Sequence, residues 1–248
     1  QLLELDRWAL SKLSGLVKKV ENSYQKYEFH SIYHAVHNFC SIDLSAFYLD
    51  ILKDRIYTSP KNSIEYRSAR TSMYLLLDAI TRMIAPVLTF TADEIWTQMP
   101  GEREESVHLA TFPKRMDDYF DKELEERYEK LQKIRSEVSK VLELARAEKR
   151  IGQSLEAKIL LQVPAEYQTL LEEYRELLPA YFIVSQVEFV ESLENGATAE
   201  GIVGLKIRVD AADGKKCERC WNFATSVGKN SEHPAACERC VAALADMG

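Results

Sequence analysis

Two short stretches, Cys217-Glu218-Arg219-Cys220 and, sixteen residues further on, Cys237-Glu238-Arg239-Cys240, decide how the end of this chain folds. Paired C-x-x-C motifs at this interval predict a tetrahedral Zn²⁺ site with Cys217, Cys220, Cys237 and Cys240 as ligands. In each pair a tight turn sets two sulfurs on one face of the ion, and the intervening loop folds back to deliver the other two. Four thiolates leave no open position for water or substrate, so one structural zinc is expected. It organises a segment of about 30 residues that is too short to build a core of its own. The competing readings are weaker. Two disulfides need an oxidising compartment, and the only other cysteine, Cys40, lies in a helical stretch without a partner. A redox C-x-x-C opens a helix in a βαβ setting, whereas here each pair follows a polar run. His233 is flanked by Pro234 and competes poorly with four well-spaced thiols.

Upstream of this segment the hydrophobic period changes twice. Residues 157–163 and 202–209 read as strands, residues 181–190 as strand-rich, and Pro164 starts a helix reaching about residue 178. This is a small α/β module, about one helix on a three-stranded sheet. Before it, Leu124, Tyr128, Leu131, Ile134, Val138, Val141 and Ala145 recur every three or four residues along one long helix over 121–150. Its other faces mix acids and bases, as solvated faces do.

The first 113 residues read as a helix bundle. Leu2, Leu5, Ala9, Leu13, Leu16 and Val20, widened by Trp8, form one amphipathic face. Asn22-Ser23 marks a break and cap, and a second helix follows with Phe29, Tyr33, Val36, Phe39 and Cys40 as its apolar positions. Leu44 to Leu52 continues the pattern, residues 58–62 form a loop, and a third run extends from Ala69 through Tyr74, Leu77, Ile80 and Ile84. Pro86 ends it before a helix around Phe90 to Trp96. His30, His34 and His37 share a helical face, but no H-E-x-x-H pattern accompanies them, and they read as ordinary surface or packing residues. Trp96 reads as core.

The fold is therefore expected to be mainly α, in four parts: a bundle over 1–113, a connecting helix over 114–150, an α/β junction over 151–212 and a Cys₄ zinc module over 213–248. The net charge of −7 argues against binding nucleic acid by bulk attraction. Residues 213–248 nonetheless balance five bases against five acids, so RNA contact there must rest on local cations and on stacking. No apolar run reaches membrane-spanning length and no secretory leader is apparent. No phosphate loop, paired-carboxylate arrangement or activated nucleophile is present. The chain opens at Gln1 inside a helical pattern, and is expected to be part of a longer protein of a reducing cytoplasm.

Several stretches resemble isoleucyl-tRNA synthetase of the bacterial type. They are Leu5-Asp6-Arg7-Trp8, Phe29-His30, Asp43-Leu44-Ser45-Ala46-Phe47-Tyr48-Leu49-Asp50 with Lys53-Asp54-Arg55-Ile56-Tyr57, and Phe90-Thr91-Ala92-Asp93-Glu94-Ile95-Trp96. Ala147 to Leu155 is similar to the start of that family's C-terminal extension, and Lys216-Cys217-Glu218-Arg219-Cys220-Trp221-Asn222-Phe223 to its zinc domain. The resemblance covers essentially the whole chain. It implies a tRNA-reading region of a class I ligase that activates isoleucine with ATP. The catalytic signatures (His-Ile-Gly-His and Lys-Met-Ser-Lys-Ser types) and the editing domain belong elsewhere in such a protein and are absent here, so this stretch is expected to be inactive alone. Implied partners are isoleucine tRNA and the rest of the polypeptide, with no membrane, in a monomer. A valyl-type relative and a stand-alone protein-interaction module are the alternatives.

For RNA contact, Trp221 is a candidate stacking platform, or else a lid over the metal site. Lys215, Lys216, Arg219, Lys229 and Arg239 surround the thiolates, either to meet phosphate or to offset cluster charge. In the bundle, Lys53, Arg55, Arg67 and Arg70 are candidates to face an RNA stem, with surface ion pairing as the plainer reading of each.

Overall fold

The computed structural model describes residues 1–114 and 116–246 and divides into two units, one of residues 1–56 and 61–126, the other of residues 57–60 and 127–248. The last two residues of the expected 213–248 module lie outside the described residues.

The first unit is built of helices: α1 (Glu4–Gln25), α2 (Phe29–Asn38), a π-helical run (Phe39–Tyr48), α3 (Leu49–Thr58), α4 (Ile64–Ile84) and α5 (Thr89–Gln98). The face foreseen for α1 is its buried face, with Leu5, Ala9, Leu13, Leu16 and Val20 all below one-tenth exposed. Trp8 packs edge-on against Phe47 at 5.0 Å. The break expected at Asn22-Ser23 falls later. Ser23 is buried inside α1, and the helix closes through Tyr27, which takes a left-handed conformation (φ 58°) while Glu28 N–H donates to Ser23 O and Tyr27 N–H to Tyr24 O. This is a Schellman closure with tyrosine where glycine is usual. Helix α4 starts as predicted after the 58–62 loop, where the Ser63 hydroxyl caps it by accepting from Tyr66 N–H.

Two helical faces differ from expectation. Helix α2 buries Ile32 and Ala35, followed by Phe39, and turns Phe29 and Tyr33 to solvent. Helix α4 buries Ala69, Leu76, Ala79 and Met83 and leaves Tyr74 and Leu77 about two-fifths exposed. Each helix offers apolar residues on two adjoining stripes, so periodicity alone leaves the buried one open. Trp96 is core as expected, 1% exposed, with its indole N–H donating to Glu104 O and Arg103 stacked 4.6 Å from its ring.

One buried polar knot fixes the bundle. Asp6 is fully buried and accepts from the Tyr48 hydroxyl at 2.8 Å, from Arg55 Nη2 at 2.7 Å and from the Ser68 hydroxyl. Arg55 also donates to Glu65 O, so one guanidinium gathers α1, α3 and α4. Burial and the adjacent Asp6 charge push the Tyr48 phenol far above its usual range, so it stays a donor.

The long helix α6 (Lys122–Ala147) forms as predicted, capped by the Asp121 carboxylate accepting from Leu124 N–H. Within the second unit it buries Tyr128, Leu131, Ile134, Val138, Leu142 and Ala145. Tyr128 and Tyr181 share a hydrogen bond at 2.7 Å, with Tyr174 packed against both.

The α/β module has a sheet of order β2-β1-β4-β3, one strand more than expected. Strand β1 (Ala157–Gln162) pairs in parallel with β2 (Gln186–Phe189) and antiparallel with β4 (Lys206–Ala211). The added strand, β3 (Ala197–Thr198), is two residues long and exposed, too short to show an alternation in sequence. The run 181–190 is not all strand: Tyr181 and Phe182 close the short helix α8 (Leu178–Phe182). Ile183 then turns left-handed at φ 56° and lets β2 begin three residues later. Helix α7 (Ala165–Glu173) opens immediately after Pro164, as predicted, and ends sooner than expected.

Candidate metal centre and its aromatic edge

The zinc-finger segment grows from a small hairpin. Strands β5 (Lys215–Lys216) and β6 (Phe223–Ala224) pair antiparallel, and the chain enters through Gly214 at φ 92°. A Cβ there would lie 2.3 Å from the Ala224 backbone, so only glycine fits. Cys217 N–H donates to Asn222 O and Trp221 N–H to Cys217 O, which closes the first C-x-x-C as a tight turn. The second pair is built differently. Cys237 is the residue before helix α9 (Glu238–Ala245) and Cys240 lies in its first turn, so here a C-x-x-C does open a helix.

The sulfurs of Cys217, Cys220, Cys237 and Cys240 all lie within 4.8 Å of one another, the only such cluster of metal-ligating groups among the described residues. Cys220 and Cys237 sulfurs are 3.7 Å apart. A tetrahedron with zinc–sulfur bonds of about 2.3 Å has edges of roughly 3.8 Å. The donor set therefore fits a four-thiolate ion. Backbone geometry supports it, since Cys237 N–H donates to Cys217 Sγ at 3.3 Å and Arg219 Nη1 reaches Cys240 Sγ at 3.7 Å. Burial opposes ionisation of Cys217, yet backbone N–H groups converging on its sulfur hold it down to about 6. Burial and the charge of Cys220 push Cys237 and Cys240 upward instead. One thiolate is thus stabilised by the fold, and gathering all four needs a cation between them.

Four ties join this segment to the α/β module of the same unit. Phe223 N–H donates to the Ser185 hydroxyl, which itself donates to Leu155 O. The Gln186 side chain bonds both backbone groups of Asp213, and Lys158 bridges Glu188 and Asp213 at 2.7 and 2.9 Å. Ser185, Gln186 and Lys158 were not legible as partners in sequence, because nothing local distinguishes them from other polar strand residues.

Trp221 stands 58% exposed at φ 66°, with Lys216 Nζ 5.5 Å from its ring centre. It is turned outward and does not cover the sulfurs as a lid would. Lys215, Lys216, Lys229 and Arg239 are exposed, while Arg219 is half-buried and donates to Thr58 O at 2.6 Å besides facing Cys240. The bundle candidates divide. Lys53 is exposed beside Asp50, and Arg67 and Arg70 are exposed, Arg70 over the Tyr66 ring at 5.7 Å. Arg55 is committed to the buried Asp6 and turns inward, away from any RNA face. His30, His34 and His37 are all exposed.

A helical bundle running into a long helix, followed by a four-cysteine finger, defines a class of RNA-reading accessory modules. The chain belongs to the family of the anticodon-binding domain of tRNA ligases, whose model matches residues 6–161. Residues 214–243 match a zinc finger found in FPG and IleRS. Among curated relatives, the isoleucine–tRNA ligase of Syntrophotalea carbinolica is 61% identical over 247 residues. Those of Geobacter sulfurreducens and Natranaerobius thermophilus are 49% and 44% identical. These alignments cover 97–99% of this chain and 26–27% of the relatives, so the chain spans about a quarter of their length. Among the described residues no helix is long and apolar enough to cross a membrane.

Proposed function

We propose that this chain is the tRNA-reading end of an isoleucine–tRNA ligase, and that it holds the anticodon stem-loop while the rest of the polypeptide activates isoleucine with ATP and charges the acceptor end. The observation that carries the reading is the pairing, in one chain, of the anticodon-binding family match with a cysteine finger that presents an exposed tryptophan beside a lysine. In this reading Cys217, Cys220, Cys237 and Cys240 hold one Zn²⁺, which supplies structure and takes no part in the reaction. Residues 1–113 form the bundle, 114–150 the connecting helix, 151–212 the junction and 213–248 the zinc module. The protein works as a cytoplasmic monomer. The relatives' names favour the isoleucyl over the valyl reading, and a family match spanning the bundle disfavours a stand-alone interaction module.

Anticodon bases are unstacked, so rings that accept them and cations that meet the adjoining phosphates are the expected tools. Trp221 stacks a base, and Lys215, Lys216, Lys229 and Arg239 meet phosphates. Arg219 keeps the thiolate cluster in register. Lys53, Arg67 and Arg70 remain stem contacts in the bundle, and Arg55 is withdrawn from that role. The test is titration with isoleucine and valine tRNA, with and without a zinc chelator. Preference for isoleucine tRNA that disappears with the metal is the expected result; binding indifferent to both overturns the reading. Trp221→Gly sharpens it. Glycine accepts the left-handed backbone at no cost, so the finger keeps its stability while tRNA affinity falls about tenfold. Unchanged affinity would leave the ring a packing role.

A further inference from the structure

The first unit carries an apolar surface that its own core leaves uncovered. On α2 the side chains of Phe29 and Tyr33 point to solvent, 51% and 62% exposed, and Tyr27 before them is 78% exposed. The rings are organised: Tyr27 meets Phe29 at 6.4 Å, Phe29 meets Tyr24 at 6.2 Å, and Tyr33 lies 5.2 and 5.6 Å from the imidazoles of His34 and His37. Residues 29–42 contain no Asp, Glu, Lys or Arg in a chain with 39 acids, so no carboxylate from this stretch repels a polyanion. Tyr27 occupies the left-handed closing position of α1 where glycine is preferred, which spends stability to keep an exposed ring there.

We infer that this face of α2, with Tyr27, Phe29 and Tyr33 as stacking rings and His30, His34 and His37 between them, is a second platform for unpaired RNA bases. The inference rests on the anticodon-reading function proposed above. Every base has a π-face, and phenol, phenyl and imidazole rings stack on it without regard to sequence, while the imidazole nitrogens offer hydrogen bonds to base edges. A protein partner of comparable area would be expected to use aliphatic anchors at this centre, whereas Tyr27, Phe29 and Tyr33 are flanked by histidines. The acid-free stretch adds charge complementarity to RNA. The bundle then binds through aromatic stacking more than through its scattered cations, of which Arg55 is already engaged in the interior.

The test uses the zinc-loaded 248-residue chain with two probes: a short RNA hairpin closed by the anticodon loop of isoleucine tRNA, and a loopless duplex of equal length. Tyr27→Gly and Tyr33→Ala are each expected to weaken hairpin binding about tenfold, leave duplex binding unchanged, and act cumulatively. Tyr27→Gly should be at least as heat-stable as the parent, which separates a binding role from a folding role. Hairpin affinity unchanged in both variants, with Trp221→Ala still weakening it, overturns the platform and leaves the anticodon reading standing. A parent chain that does not distinguish hairpin from duplex overturns both. Concentration-dependent self-association that Tyr33→Ala abolishes would show a protein interface and overturn the platform as well.

Discussion

The bundle and the zinc finger solve the same problem by opposite means. The bundle has enough chain to bury Trp8, Leu10, Leu13, Tyr48, Leu52 and Met83 almost completely, and its single fully buried charge, Asp6, is matched by three donors. The finger has a two-residue hairpin, one short helix and a core that consists of its own cysteines and a few alanines and valines. A core of that size supplies too little apolar burial to offset the entropy of ordering some 30 residues. Metal coordination therefore replaces a hydrophobic core in one region, and in the other burial suffices, with polar groups used only to specify how the helices meet.

The largest effect should come from removing the metal. Chelation, or Cys240→Ala, is expected to abolish structure over residues 214–246 and leave the helical circular dichroism of the bundle intact, with hydrogen exchange resolving the two. If the whole helical signal collapsed together, the ties through Ser185, Gln186 and Lys158 would have made one cooperative unit, and the contrast would fail.

The bundle's own weak point is Asp6. Asp6→Ala removes one partner of a buried pair and strands Arg55, Tyr48 and Ser68, at a cost of about 3 kcal/mol in urea unfolding. The zinc content should stay the same. A loss below about 1 kcal/mol would mean that Arg55 relaxes to solvent and that apolar packing alone sets the bundle's geometry.

A smaller effect is expected from acid. The Ser106 hydroxyl and the Val107 N–H hold the Asp93 carboxyl below the usual carboxylate range. A group lowered on folding stabilises the native state above its unfolded value of about 4 and loses that contribution as pH falls through its folded value. Unfolding free energy measured against pH should therefore decline on acidification in this window, and Asp93→Asn should flatten the decline slightly. An unaltered profile would show that Asp93 only positions the loop after α5.

Much of this was legible. The cysteine spacing depends on local turns, and the structure brings the four sulfurs together as that spacing implies. The faces of α1 and α6 follow directly from period, because each has a single apolar stripe. Helix α2 is the instructive failure. Phe29, Tyr33, Val36 and Cys40 form one stripe and Ile32, Ala35 and Phe39 another, about a quarter-turn away, and periodicity ranks them equally. The larger aromatic stripe suggested itself as core, yet the structure buries the smaller one. Arg55 failed in the opposite sense: its sequence neighbours Lys53 and Asp54 suggest a surface, and only Asp6, 49 residues away, draws it inward.

By itself, then, the sequence determined where helices start and stop, which residues share each helical face, and that four thiols share a site. All of these depend on interactions spanning a few residues or on fixed stereochemical periods. Tertiary structure decided which apolar stripe faces the core, which arginine is buried, and which strand residues anchor the finger. Those outcomes depend on what lies across the interior, and no local pattern encodes a partner fifty or a hundred residues away.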